Sequence, residues 1–230
     1  MKLRKSLLTC AITFALGSSF AANANTDDKA QSSSELATQV TTLGVSNSII
    51  LDQVSVTGVG NEAVITQQGT GQRAETVSIG DGNMVQVNQA QTSNLSLIYN
   101  TGDFNDVAHT QNGTMNGALS ETVGNDNAIR VEQQGAGFFG INNEAINTVT
   151  GDENTITVTQ GDGGHWFYNF DLEGNSNTVS SEQVGLLNEA TFNTIIGDDN
   201  TIEVAQEGLF NAFTSDEIIG NGNDITIDQT

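Results

Sequence analysis

Proline is missing from all 230 residues and cysteine occurs once, at Cys10. Only 6 lysines and arginines stand against 28 aspartates and glutamates, and aromatic residues make up just 6%. Each shortage excludes something. A chain of net charge −22 has no basic footprint with which to hold a nucleic-acid backbone. One cysteine and two histidines cannot build a Cys/His zinc site or a disulfide framework. Hydrophobic residues make up 36%, rich in Ala and Val rather than aromatics, so an ordinary compact core is thinly supplied. Something else must hold the chain together.

The first residues read as an address. Lys2, Arg4 and Lys5 precede an apolar run from Leu7 to Phe20 and then the small residues Ala22-Asn23-Ala24. That order predicts a secretory signal over residues 1–24, cleaved after Ala24. The apolar run is short for a membrane span, so membrane insertion is not expected. Residues 25–43 open with a polar, unpatterned stretch and read as a flexible leader or export segment. The folded domain is expected over residues 44–230.

Within that domain one pattern recurs. Asn61, Asn83, Asn105, Asn127, Asn154, Asn177, Asn200 and Asn223 each have a glycine three residues before and a glutamine six residues after. The glutamines are Gln67, Gln89, Gln111, Gln133, Gln160, Gln183, Gln206 and Gln229. The spacing is 22 or 23 residues, apart from one of 27 that marks an insertion. Asn47, with Gly44 and Gln53, obeys the same rule 14 residues before Asn61 and reads as a degenerate first copy. Self-similarity at such a period is the signature of a repeat architecture.

From Asn to Gln the residues alternate. Asn83, Val85, Val87 and Gln89 share one face, as do Asn154, Ile156, Val158 and Gln160, while the other face is mostly polar. Period two with β-branched residues inside is a half-buried strand. The Gly and Asn before each strand supply a turn, because both tolerate positive φ. A second strand follows the glutamine, after x-Gly-x-x-Asn-x-Ala, as in Gln111 to Ala118 and Gln183 to Ala190. One repeat cannot bury its own apolar face, so the copies are expected to stack as rungs.

The predicted fold is all-β: a β-solenoid of about eight strand-turn-strand rungs, cross-β in character and open-ended, with the last repeat reaching Gln229 just before Thr230. Rungs about 4.8 Å apart would set each inward Asn and Gln over its twin in amide ladders. A buried amide is costly alone and satisfied in such a ladder. Proline, which has no N–H to donate to a rung, would be out of place.

This unit resembles the curlin repeat of bacterial curli amyloid subunits. The likeness is clearest at Asn105…Gln111-x-Gly113-x2-Asn116-x-Ala118 and at Asn177…Gln183-x-Gly185-x2-Asn188-x-Ala190, and extends over about residues 61–230. It implies a secreted structural subunit that polymerises outside the cell into amyloid fibres of the biofilm matrix, supporting adhesion and cell aggregation. It also implies a nucleator subunit, an outer-membrane secretion pore and periplasmic chaperones of a Gram-negative bacterium as partners. In the family the Asn and Gln positions form the inward ladders that carry assembly, and the same role is expected here. The second strand departs from the family pattern, ending in Ser78, Asn100, Thr122, Val149, Thr194 or Glu217 rather than Gln.

The two corners of the rung carry whatever is specific. One is acidic, and Asp81, Asp103, Asp126, Asp152 and Asp198 are expected in a rough column. Turn formation and solubility are the plain reading of it; calcium bridging is the sharper one. The other corner becomes apolar late in the chain. Phe138, Phe139, Trp166, Phe167, Tyr168, Leu186, Leu187, Leu209 and Phe210 are expected to form an exposed contact stripe for lateral packing or glycan stacking. Local packing of irregular loops is the alternative.

His109 is expected to fill a rung, and His165 to lie in the aromatic loop. No acid–base pair, metal set or cofactor site can be nominated, so the chain does not read as an enzyme. Two other readings remain: a monomeric β-solenoid that binds a surface as an adhesin does, and a calcium-binding repeat protein.

Overall fold

The computed structural model of the chain describes residues 11–12, 23–26, 37–55, 59–136 and 142–230. The expected signal segment and the loop holding Phe138 and Phe139 therefore lie largely or wholly outside the described residues. Among the described residues there are only strands, and consecutive strands alternate between two sheets, one 10-stranded and one 9-stranded. Every pairing is parallel, between a strand and its equivalent one rung along. A strand that runs parallel to the one two places before it needs a return strand between them, and here the other sheet provides it. The result is the predicted β-solenoid.

A single rung shows the construction. Asp106–Thr114 lies in the first sheet and Gly117–Val123 in the second. A corner at Met115 and Asn116 joins them, and the turn at 124–127 leads to the next rung. Met115 takes φ 61° at that corner, so the left-handed turn is made there by a residue that is not glycine. The stretch expected to be leader takes part in the stack, because Ala37–Val45 pairs with Glu62–Thr70.

The core lies between the sheets and is a set of short columns. Val85, Val107, Ile129, Ile156, Val179 and Ile202 follow one another in register and are all buried. From the second sheet Phe167 and Phe192 enter the same core, with ring centroids 6.1 Å apart. Small residues make room for them: Phe167 falls in register with Ala145 on one side and Ala190 on the other.

The strand Trp166–Glu173 carries a register shift relative to Glu144–Thr150, so that Val149 faces Leu172 rather than Asp171. The shift persists, and the inward column at the end of the second strand runs Gln53, Ser78, Asn100, Thr122, Val149, Leu172, Ile195, Ile218. The expected Thr194 and Glu217 are thus displaced from it. What begins as an amide position ends as aliphatic core.

Candidate assembly interface

All the predicted Asn and Gln residues point inward, and each type forms its own lane. Gln67, Gln89, Gln111, Gln133, Gln160, Gln183 and Gln206 each donate through Nε2 to Oε1 of the next glutamine at 2.8–2.9 Å, the last reaching Gln229. The second amide proton crosses to the other sheet, as from Gln133 to the Gly117 carbonyl at 2.8 Å. Both donors of a fully buried side chain are thereby satisfied, which is what makes burying an amide tolerable.

The asparagine lane runs the opposite way. Asn83, Asn105, Asn127, Asn154, Asn177, Asn200 and Asn223 donate through Nδ2 to Oδ1 of the preceding asparagine at 2.8–3.1 Å. The same oxygen also takes the backbone N–H of the donor residue, as for Asn154 on Asn127 at 3.0 Å. The remaining amide proton goes to the glycine carbonyl of the turn one rung on, as from Asn105 to Gly124 at 2.8 Å. Thr42 stands where the glutamine lane would continue into the first rung, and Gln67 Oε1 is buried without a partner.

A third lane occupies the other corner. Its members are Asn47, Gln72, Asn94, Asn116, Asn143, His165, Asn188 and Asn211, all buried except the half-buried Asn211. Asn47 accepts the backbone N–H of Gln72 at 3.1 Å, and Asn188 that of Asn211 at 3.0 Å. Asn47 therefore does not open the Asn61 series. It belongs to the second half of the rung, and its 14-residue distance from Asn61 is the 11-residue step between the two corners, as from Asn94 to Asn105, lengthened by three residues. His165 is a lane member as well, not part of a loop. Its backbone N–H goes to Asn143 at 3.0 Å, its Nδ1 accepts from Asn188 at 3.2 Å, and its Nε2 donates to the Gly161 carbonyl at 2.6 Å. Burial lowers its pKa and keeps the ring neutral, as the acceptor role of Nδ1 demands. The sequence signal for this lane is the Gly-x-x-Asn spacing after Gln111, Gln183 and Gln206.

His109 lies inside, as expected, and bridges the two sheets. Its Nδ1 is 2.9 Å from Ser96 Oγ and its Nε2 2.8 Å from Ser120 Oγ. Complete burial lowers its pKa to about 3, so it too is neutral.

The acidic corner differs from expectation. The column reads Asp81, Asp103, Asn125, Asp152, Asn175, Asp198, Asn221, and each side-chain oxygen from Asp103 onward accepts the backbone N–H of the residue one rung earlier at 2.7–2.9 Å. Asp126 is not in it. Asp126 occupies the next turn position, at φ 56°, in line with Phe104 and Glu153, and Asn125 takes the column place. Apart from Asp81 and Asp103, carboxylates alternate with amides. Among the described residues no group of three or more His, Cys, Asp or Glu is placed to hold a metal ion.

The expected contact stripe is broken up. Phe167 is buried in the core, because strand alternation turns it inward. Trp166 and Tyr168 sit on the outer face of the second sheet, away from the corner, and Tyr168 Oη donates to Glu144 at 3.1 Å. Only Leu186, Leu187, Leu209 and Phe210 share the corner. Phe210 N–H bonds to the Leu186 carbonyl at 3.0 Å, with Leu209 and Phe210 well exposed.

These features define a class: a parallel β-solenoid whose rungs are joined by continuous buried amide lanes. The family model of the curlin associated repeat matches residues 174–208, which is where the Asn177, Gln183, Gly185 and Asn188 pattern lies. The chain thus carries a curlin-type repeat at one of the two stretches on which the resemblance rests. Neither the curated proteins nor the solved structures compared with the chain contain a match.

Proposed function

We propose that this chain is a secreted structural subunit that stacks end-on with copies of itself into curli-type amyloid fibres of the extracellular matrix, there supporting adhesion and cell aggregation. One observation carries the reading: seven consecutive Gln–Gln bonds of near-constant length join eight rungs. A hydrogen-bonded lane that repeats over eight rungs is one that a further copy can extend, since a strand at the end of a stack offers unpaired N–H and C=O groups as a template. The curlin-repeat match supports the same reading, and with it a nucleator subunit, an outer-membrane pore and periplasmic chaperones as partners. The basic, apolar and small-residue order of residues 1–24 supports export through the periplasm to the cell surface.

The test is a thioflavin T time course on freshly denatured chain, followed by fibre diffraction. A lag phase, seeding by preformed product and reflections near about 4.8 and 10 Å are expected. A flat trace from a soluble, β-rich monomer would sink the reading.

A further inference from the structure

The outer faces of the two sheets differ. On the first sheet a typical outward column is polar, running Gln86, Ala108, Arg130, Thr157, Ser180, Glu203. On the second, Leu97, Leu119, Ile146 and Tyr168 follow one another in successive rungs without a charge. The neighbouring column reads Leu95, Gly117, Glu144, Trp166. Gly117 brings no side chain, and the face is hollowed around it into a dimple of about 450 Å³, walled by Leu95, Leu97, Met115, Leu119, Glu144 and Ile146. Two rungs along the same column stands Trp166, half-buried and the only tryptophan of the chain.

Hole and knob are thus placed symmetrically about the strand Glu144–Thr150. A two-fold axis along that strand, lying between two copies set face to face, leaves the columns aligned and reverses the order of rungs. It brings Gly117 opposite Trp166 of the second copy, Leu119 opposite its Tyr168, and Ile146 opposite its Ile146. We propose that this face packs laterally against a second copy of the chain, antiparallel, each Trp166 seated in the Gly117 dimple of the other. Such self-complementarity is what an isologous contact requires.

Charge and ring geometry favour a second copy as the occupant. In a chain of net charge −22, an outward column without charge is where two copies can approach. A sugar chain is a poorer fit, because the Tyr168 and Phe170 rings stack on each other at 5.3 Å and 13°, which uses their faces. Carboxylates oppose the pairing at two places: Glu144 meets its own copy at the axis, where the bond from Tyr168 Oη holds each carboxylate to one side, and the outward Glu121 comes opposite the Phe170–Asp171 stretch of the second copy.

The area fixes when pairing occurs. Three rungs by one strand span about 14 by 23 Å, or roughly 330 Å² a side. That is below the about 800 Å² per partner of a standard interface. A single pair is therefore weak, and stacked subunits presenting the same patch gain by avidity. This goes beyond axial stacking, because the face runs parallel to the stack axis and joins two stacks side by side.

The test uses the full chain and the emission of Trp166. A Cβ on Gly117 would meet nothing within 4 Å, so G117F fills the dimple while leaving the rung room to form. Ile146→Ser, outward and on the axis, is the second variant. In the wild type, emission shifts to the blue and acrylamide quenching falls at least twofold as fibres form, and micrographs show paired fibres. G117F and I146S are expected to keep the thioflavin T signal and lose both changes, and E144Q to pair at lower concentration. Wild-type emission unchanged by assembly, or G117F and I146S pairing as the wild type does, overturns the proposal. So does an emission shift that needs added polysaccharide or lipid vesicles. A chain without any thioflavin T signal overturns the fibre reading alone; sedimentation and emission of the concentrated soluble protein then decide the pairing by the same criterion.

Discussion

Asn125 gives both its backbone N–H and its side-chain amide to a single oxygen of Asp152, at 2.7 and 3.0 Å. Asn175 does the same with Asp198, at 2.8 and 3.1 Å. The carboxylate oxygen accepts two N–H groups, and the rung beyond it offers another amide rather than another charge. From Asp103 onward this column stacks its turns without setting one carboxylate directly on the next.

Asn175→Asp puts carboxylates at 152, 175 and 198 in consecutive rungs and removes an amide donor. The groups are largely exposed, so the expected loss is about 0.5–1 kcal/mol at low salt, most of it recovered at high salt. Thermal melting at two ionic strengths reads it. A loss independent of salt would mean that geometry, not charge, sets the alternation.

Gln133 and Gln134 are adjacent in sequence and opposite in role, the first buried in the lane and the second exposed. Gln133→Leu leaves the Gln160 oxygen, the Gln111 amide and the Gly117 carbonyl each short of a partner. At about 1–3 kcal/mol for an orphaned buried group, the expected cost is about 3 kcal/mol or more. Gln134→Leu should change stability by less than about 0.5 kcal/mol. Denaturant midpoints for the two variants make the comparison, and equal midpoints would remove the lane from the account of stability.

His109 sets an acid limit. Its pKa is about 3 when folded, against 6.5 for the free side chain. Below pH 6.5 the unfolded chain takes up a proton that the folded chain refuses, so acid favours unfolding. The stability that neutral His109 permits is whole above pH 6.5 and falls by about 1.4 kcal/mol per pH unit down to the folded pKa. Between pH 7 and pH 5 that amounts to about 2 kcal/mol. His109→Gln, which cannot titrate, should lack this slope. The measurement is the difference in unfolding free energy between wild type and variant across that range, which cancels the shared response of the carboxylates. Parallel pH profiles would contradict it.

Much of this was legible beforehand. Seven-residue alternation between Asn and Gln is enough to set both residues on one face, and a fixed period is enough to stack them. What sequence could not resolve was which of two middle residues in a Gly-x-x-Asn turn leans along the stack. Asn125 and Asp126 are both short and polar, and only the positive φ at Asp126 separates them. His165 was obscured because an imidazole does the work of an asparagine there, one nitrogen accepting and the other donating. Phe167 is expected in the corner stripe as one of a run of aromatics, whereas its register with Ala145 and Ala190 makes it core. The one-residue shift after Asn147 is the added residue by which the period grows from 22 to 23, and it alone moves Thr194 and Glu217 off the inward column.

The opposed sense of the glutamine and asparagine lanes gives the stack a direction. Within the lanes, glutamine side chains donate to the glutamine of the later rung and asparagine side chains to the asparagine of the earlier one. A rung laid on in reverse would therefore set donors against donors in one lane and acceptors against acceptors in the other. Whatever is added to this column of amides is told by them which way to face.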